Sequence, residues 1–133
     1  MKISGSCHCG AITYEAEVDP ERVTICHCTD CQTLSGSAFR VVVPANPFRL
    51  LSGEPKAYLK SAESGRQRTQ AFCANCGTSV YSADATNSKQ FSIRVGTARE
   101  REKLIPKREV WCRSALGWTW SARPPTQIAT QDF

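Results

Sequence analysis

The segment Cys26-His27-Cys28-Thr29-Asp30-Cys31 places three thiols and an imidazole within six residues, and the rest of the chain has to be arranged around what such a cluster binds. Two more cysteine pairs bracket it, Cys7-x-Cys9 before and Cys73-x-x-Cys76 after, and only Cys112 stands apart. A soft divalent metal bound by thiolates is the simplest reason for this clustering. The spacing predicts that two of the clusters close one zinc site and that the third holds a more open one.

The compartment supports a metal over disulfides. The N-terminal run Met1-Lys2-Ile3-Ser4-Gly5-Ser6 has no apolar core of a signal peptide, and no apolar run approaches the length of a membrane span. The expected address is therefore the cytoplasm, with no membrane partner, where thiols stay reduced. Cys-x-Cys spacings are also poor disulfide pairs and ordinary chelates. The formal charge of +5 raises nucleic acid as a partner. Seven ionised thiols remove seven charges and two divalent cations return four, which leaves only +2. The densest basic group, Arg99 to Arg108, is interleaved with Glu100 and Glu102, as on a solvated surface. Nucleic acid is thus not the expected partner.

At 133 residues the chain is read as a single zinc-binding domain, with a polar tail from about residue 121. Ile12, Tyr14, Ala16 and Val18 alternate with polar residues, the period of a half-buried strand. Val23–Ile25, Ala38–Val43, Phe48–Leu51, Ala57–Lys60, Arg66–Phe72, Ser79–Ser82, Gln90–Val95 and Glu109–Cys112 follow as short strands. Pro44 and Pro47 are expected to stop one of them, and Ser61–Gly65 to form an exposed turn. One helical turn and a loop are expected over Gln32–Ser37, and Thr97–Lys103 is a short helix or a loop. The predicted fold class is mainly β: a zinc-containing, β-sandwich-like domain of short antiparallel strands.

Cys7, Cys9, Cys73 and Cys76 can supply four thiolates at about 2.3 Å, a closed structural site joining distant segments. Gly5 and Gly10 beside this knuckle let the backbone turn so that its amides face sulfur. Cys26, Cys28 and Cys31 remain, and three protein ligands with one exchangeable position are the pattern of a catalytic zinc. Alternatively Cys112, His27 or His8 closes that site; a packing or supporting role is preferred for both histidines. Asp30 is either a base or orienting group, or a turn residue. Ser35, Gly36 and Ser37 either serve the open metal or end a turn, and Trp111, Trp118 and Trp120 either wall a pocket or pack.

The motifs Cys7-His8-Cys9-Gly10, Cys26-His27-Cys28-Thr29-Asp30-Cys31-Gln32, Ser37-Ala38-Phe39, Phe72-Cys73-Ala74-Asn75-Cys76-Gly77-Thr78 and Val95-Gly96-Thr97, in that order, resemble the glutathione-dependent formaldehyde-activating enzyme family. This carbon–sulfur lyase superfamily includes centromere-protein-V-like proteins. The resemblance implies a β fold around two zincs, one structural on Cys7, Cys9, Cys73 and Cys76 and one catalytic on Cys26, Cys28 and Cys31. It implies condensation of formaldehyde with glutathione to S-hydroxymethylglutathione, and the reverse. No motif marks glutathione-binding residues.

The sequence thus supports an enzyme in which a small thiol such as glutathione adds to, or leaves, a small aldehyde. Arg40, Arg66, Arg68 and Arg94 are all candidates to hold the thiol's carboxylate. The alternative is a zinc-stabilised module, without chemistry, that binds a protein, a nucleic acid or free thiols. Oligomeric state is not legible.

Overall fold

Alternation decides the first hairpin. In the computed structural model, which describes residues 1–62, 65–87, 89–121 and 124–131, strand β2 (Thr13–Val18) buries Tyr14, Ala16 and Val18 and turns Glu15 to solvent. It pairs antiparallel with β1 (Lys2–Ser6), which sets Ile3 opposite Ala16 and Gly5 opposite Tyr14. A Cβ on Gly5 would lie 2.3 Å from the Tyr14 ring and 2.4 Å from the Thr97 carbonyl oxygen. Gly5 is therefore a packing requirement of the hairpin, not the metal-knuckle turn residue the sequence suggests. Gly10, at φ +82°, does fill that turn.

Seven further strands complete the sheet. They are β3 (Thr24–Cys26), β4 (Arg40–Ser52), β5 (Lys56–Ser61), β6 (Gln67–Phe72), β7 (Ser79–Asp84), β8 (Phe91–Arg94) and β9 (Arg108–Val110). The order is β1-β2-β4-β8-β7-β6-β5, and β3 pairs with β4 on one side and β9 on the other. Every pairing is antiparallel except β3–β9. The mainly β class stands, built as one hydrogen-bonded sheet. Its one α-helix among the described residues is α1 (Thr29–Ser35). Thr97–Lys103, left between helix and loop by the sequence, contributes to two short 3-10 turns. Of the expected turn at Ser61–Gly65, Glu63 and Ser64 lie outside the described residues, as do Ala122, Arg123, Asp132 and Phe133 of the expected tail.

Two expected strands are one. β4 runs through Pro44 and Pro47 because the prolines fall where the strand changes partners. β8 pairs with Val42–Ala45 on one edge, while on the other β3 pairs with Arg40–Val42 and β2 takes over from Ala45 to Ser52. The hand-over carries a register shift, with Val18 opposite Ala45 and Ala16 opposite Phe48. A missing N–H is tolerated at such an irregularity and would not be in a regular central ladder.

The sheet buries both faces by different means. Val43, Ala45, Ile93, Ala71 and Ala83 line one, against Tyr14, Ile12, Val23 and Leu104. Phe48 and Phe91 stack there with centroids 4.7 Å apart. The register places Gln70 opposite Ser82, Arg94 opposite Val42 and Cys26 opposite Arg40. Arg40, Arg94, Gln70 and Ser82 are all buried. Alternation puts the apolar and polar rows on opposite sides, so β4 carries core on one side and the chemistry on the other.

Candidate metal centre

The fold gathers seven of the eight cysteines into two groups. The sulfurs of Cys7, Cys9, Cys73 and Cys76 lie within 4.8 Å of one another, and so do those of Cys26, Cys28 and Cys31. In the first group Cys7 and Cys9 are 3.6 Å apart and Cys9 and Cys73 are 3.8 Å apart. Sulfurs at the corners of a tetrahedron with zinc at its centre are about 3.8 Å apart, given a bond of about 2.3 Å. The four-sulfur set therefore has the dimensions of a closed zinc site.

Local backbone favours the ionised sulfur. The Ile12 N–H donates to Cys7 Sγ at 3.2 Å. Thr78 donates to Cys76, with its Oγ1 3.2 Å from the sulfur, and this holds the Cys76 thiol down to about 5. Cys9 is lowered as well, first through Asn75. These donors come from tight turns, where Gly77 at φ +79° lets its own N–H return to Cys73 O.

The central group is held by the junction of β3 and α1. Cys26 ends β3, Cys28 caps α1 by accepting the Cys31 N–H at 3.2 Å, and Cys31 lies within the helix. The three thiols compete for protons. Cys26 is lowered through its hydrogen bond with Cys31, Cys31 is raised by the same contact, and burial raises Cys28. Among the described residues no other Cys, His, Asp or Glu joins this group. Cys112 is exposed and His8 is exposed, with its backbone N–H on Thr78 Oγ1.

His27 is fully buried and is not part of the sulfur group. Its Nε2 meets Glu109 Oε1 at 3.1 Å, and its ring lies 5.1 Å from Trp120 and 5.7 Å from Phe39. Gln32 Nε2 donates to His27 O at 2.8 Å and to Ser114 O at 2.9 Å, which pins the helix to the late segment. Neither Glu109 nor Gln32 has a role legible in sequence, since the His27–Glu109 and Gln32–Ser114 contacts each join residues 82 positions apart and leave no local spacing to read.

The remaining candidates sort by position. Asp30 pairs with Lys60 Nζ at 2.7 Å. Ser35, Gly36 and Ser37 finish α1, with Gly36 in the left-handed cap at φ 63°, so the turn reading holds for them. Trp111, in the left-handed region at φ 57°, walls a small cavity, Trp120 packs on His27, and Trp118 is largely exposed. Arg66 pairs with Asp84, and Arg68 donates to Ser82. Arg40 and Arg94 both donate to Gln70 Oε1, at 3.3 and 2.6 Å. Burial, and then Arg40, pulls the Arg94 guanidinium down to about 9, while the Cys31 and Cys26 thiols pull it back.

One cavity adjoins the central group through Cys28, and a second lies by the buried arginine face. One of about 130 Å³ touches Cys28, Asp30, Lys60, Trp111 and Ser114. The other, of about 310 Å³, is bounded by Leu34, Arg40, Tyr58, Gln70, Phe72 and Ser79. A larger space of about 550 Å³ over β1 and β2 is lined by Glu15, Glu17, Arg49 and Glu100 and contains no cysteine. Chemistry, more than size, marks the first, which reaches Cys28, as the site. No helix among the described residues is long and apolar enough to cross a membrane.

Comparison with known proteins agrees with this geometry. A Schizosaccharomyces pombe protein described as an uncharacterized lyase is 31% identical over 91 residues, which cover 64% of this chain and 59% of that protein. The chain thus spans somewhat over half the length of that relative. The crystal structure of a Rhodobacter sphaeroides protein superposes with a TM-score of 0.61 at 20% identity, covering 80% of this chain and 98% of that one, and this likeness concerns the fold. The sequence profile described as glutathione-dependent formaldehyde-activating enzyme matches residues 2–114, which contain both sulfur groups. With the motif order, the sheet and that match in agreement, the chain belongs to the glutathione-dependent formaldehyde-activating enzyme family.

Proposed function

We propose that the protein is a zinc-dependent carbon–sulfur lyase that makes or cleaves the thiohemiacetal of a small thiol and a small aldehyde. In this reading Cys7, Cys9, Cys73 and Cys76 hold a structural zinc, and Cys26, Cys28 and Cys31 hold a catalytic one. Glutathione and formaldehyde are the pair the family name suggests. The observation that carries the reading is a three-sulfur group that borders a cavity through Cys28, in a chain that also holds a four-sulfur group with closed dimensions. A zinc on three thiolates would supply a fourth position that favours the anion of an incoming thiol.

The chain's own residues do the rest. The junction of β3 and α1 presents the three sulfurs from one short segment, and Gln32 anchors that segment to His27 O and Ser114 O. Arg40 and Arg94 offset the negative charge of the cysteines from the buried face of the sheet. The cavity walls place the thiol and exclude bulk water from the bond being made. In the forward direction the substrate sulfur gives up its proton to solvent and its electron pair forms the S–C bond. The carbonyl π pair moves to oxygen, which takes a proton. Cleavage is the reverse, and neither direction needs an oxidant or reductant.

The test combines metal analysis with nuclear magnetic resonance of thiol and labelled formaldehyde. The protein should carry two zincs and speed thiohemiacetal exchange, and Cys28→Ser should keep one zinc and lose the rate. Two zincs with no acceleration for any thiol and aldehyde pair would favour the binding-module reading instead.

A further inference from the structure

Lys60, Arg68 and Asp84 stand directly opposite one another on β5, β6 and β7, so their side chains share the polar face of the sheet. Two of the three have their counter-charges. Lys60 Nζ meets Asp30 at 2.7 Å, and Asp84 pairs with Arg66. Arg68, the cation between them, makes no ion pair among the described residues, and its one hydrogen bond there is from Nη2 to Ser82 Oγ at 3.3 Å, an acceptor that Arg94 also uses. A guanidinium has five N–H donors. No nitrogen of Arg68 is both sealed from solvent and unpartnered, so its unused donors reach open space. Asp84 does not serve them. Its Oδ1 accepts from Thr86 N at 3.0 Å, Thr86 Oγ1 at 2.9 Å and Asn87 N at 3.3 Å, and its Oδ2 from Arg66. Those bonds, the Thr86 N–H first, hold its carboxyl well below the usual range. Burial lowers the Arg68 guanidinium against the pull of Asp84, so this cation gains from any further anion beside it.

The open space is a cavity of about 360 Å³, which Arg68 lines together with Pro44, Arg66, Asp84, Lys89 and Phe91. No cysteine borders it. Three cations against one carboxylate leave a net charge of +2 on its walls. The cavity reaches from Arg68 on β6 to Pro44 on β4, three strand spacings or about 14 Å across the sheet. The charged donors thus lie toward one end, and Pro44 with Phe91 gives the other an apolar wall. A single carboxylate would neutralise only half of this charge. A phosphate monoester carries close to two negative charges at neutral pH and offers three strong acceptor oxygens, which suit an Arg and a Lys with donors to spare.

We propose that this pocket binds the phosphate group of a small phosphate monoester, with the phosphate on Arg68 and Lys89 and the organic part toward Pro44 and Phe91. The site is separate from both sulfur groups and does not depend on the thiol chemistry proposed above. Two parallel N–H bonds from a guanidinium to phosphate oxygens are among the strong hydrogen bonds, and Arg68 has the donors for them.

The experiment titrates the zinc-loaded full chain with phenyl phosphate, inorganic phosphate and benzyl alcohol, read by calorimetry and by the arginine side-chain resonances. Phenyl phosphate should bind and shift the Arg68 Nε–H resonance, and benzyl alcohol should do neither. Arg68→Gln should weaken phenyl phosphate by about tenfold or more. Lys89→Gln should weaken it as well, while Lys103→Gln, on the short turn before β9, should bind as wild type. Inorganic phosphate that binds as tightly and moves the same resonance would support the anion site and assign it to free phosphate. An Arg68 resonance unmoved by either phosphate would overturn the proposal. So would equal losses in Arg68→Gln and Lys103→Gln, the mark of general attraction to a basic protein. Displacement of phenyl phosphate by glutathione would overturn it as a separate site. The wild-type resonance shift decides the matter even if Arg68→Gln does not fold.

Discussion

Cys73→Ser and Cys28→Ser should both lose a metal and differ sharply in what that does to the fold. The four-sulfur group joins Cys9 to Cys73, which are 64 positions apart. The central group closes only the short loop from Cys26 to Cys31, five positions. The entropy lost on closing a flexible loop grows as about three-halves RT times the logarithm of its length, so the longer closure restrains the unfolded chain by about 2 kcal/mol more than the shorter. For a chain of this size, each kcal/mol moves the melting temperature by about 3–4 °C, so Cys73→Ser should melt about 8 °C below Cys28→Ser. The direct loss of metal binding is common to both and largely cancels in the comparison. The assay is thermal unfolding followed by circular dichroism, with zinc counted on the same samples. Equal melting temperatures, or a lower one for Cys28→Ser, would refute the division into structural and catalytic groups.

Stepwise chelation should remove the central metal first, with the strand signal retained, and the second only together with unfolding; release of both in one step would count against separate roles. Burial pushes the Tyr14 hydroxyl up to about 12, so the unfolded chain ionises first as pH rises past about 10. The stability it contributes is complete below pH 10 and is lost by pH 12, about 3 kcal/mol in all. Tyr14→Phe should therefore be less alkali-sensitive than wild type across that window in urea unfolding, and equally steep curves would contradict this. Gly5→Ala drives a methyl into the Tyr14 ring and the Thr97 carbonyl and should destabilise by about 1–3 kcal/mol or more. A melting temperature within about 1 °C of wild type would show that the β1–β2 hairpin gives way more easily than its packing suggests.

The cysteine spacing made both sulfur groups legible because chelation imposes short, local distances that survive in the sequence. Strand periodicity was readable in β2 for the same reason, since its alternation is local. What escaped was the business of partners far apart in the chain. Pro44 and Pro47 look like stops until the exchange of β3 for β2 along β4 is known. Gly5 beside Cys7 looks like part of a knuckle until Tyr14 is seen across the hairpin. Four arginines were equivalent in sequence, and only the register of Gln70 and Arg94 against their neighbours separates the buried pair from Arg66, which has Asp84 beside it.

The pairing of β3 with β9 has a consequence for how the protein is made. All four cysteines of the four-sulfur group, and strands β1, β2, β4, β8, β7 and β6 that connect their two knuckles in the sheet, precede β9 in the chain. Three thiols of the central group are synthesised long before Glu109, Val110 and Ser114, which cover His27, extend the edge of β3 and anchor Gln32. During that interval a reactive trio stands at an unpaired strand edge. An early metal on the other group would give the nascent chain a scaffold on which to wait for its last wall.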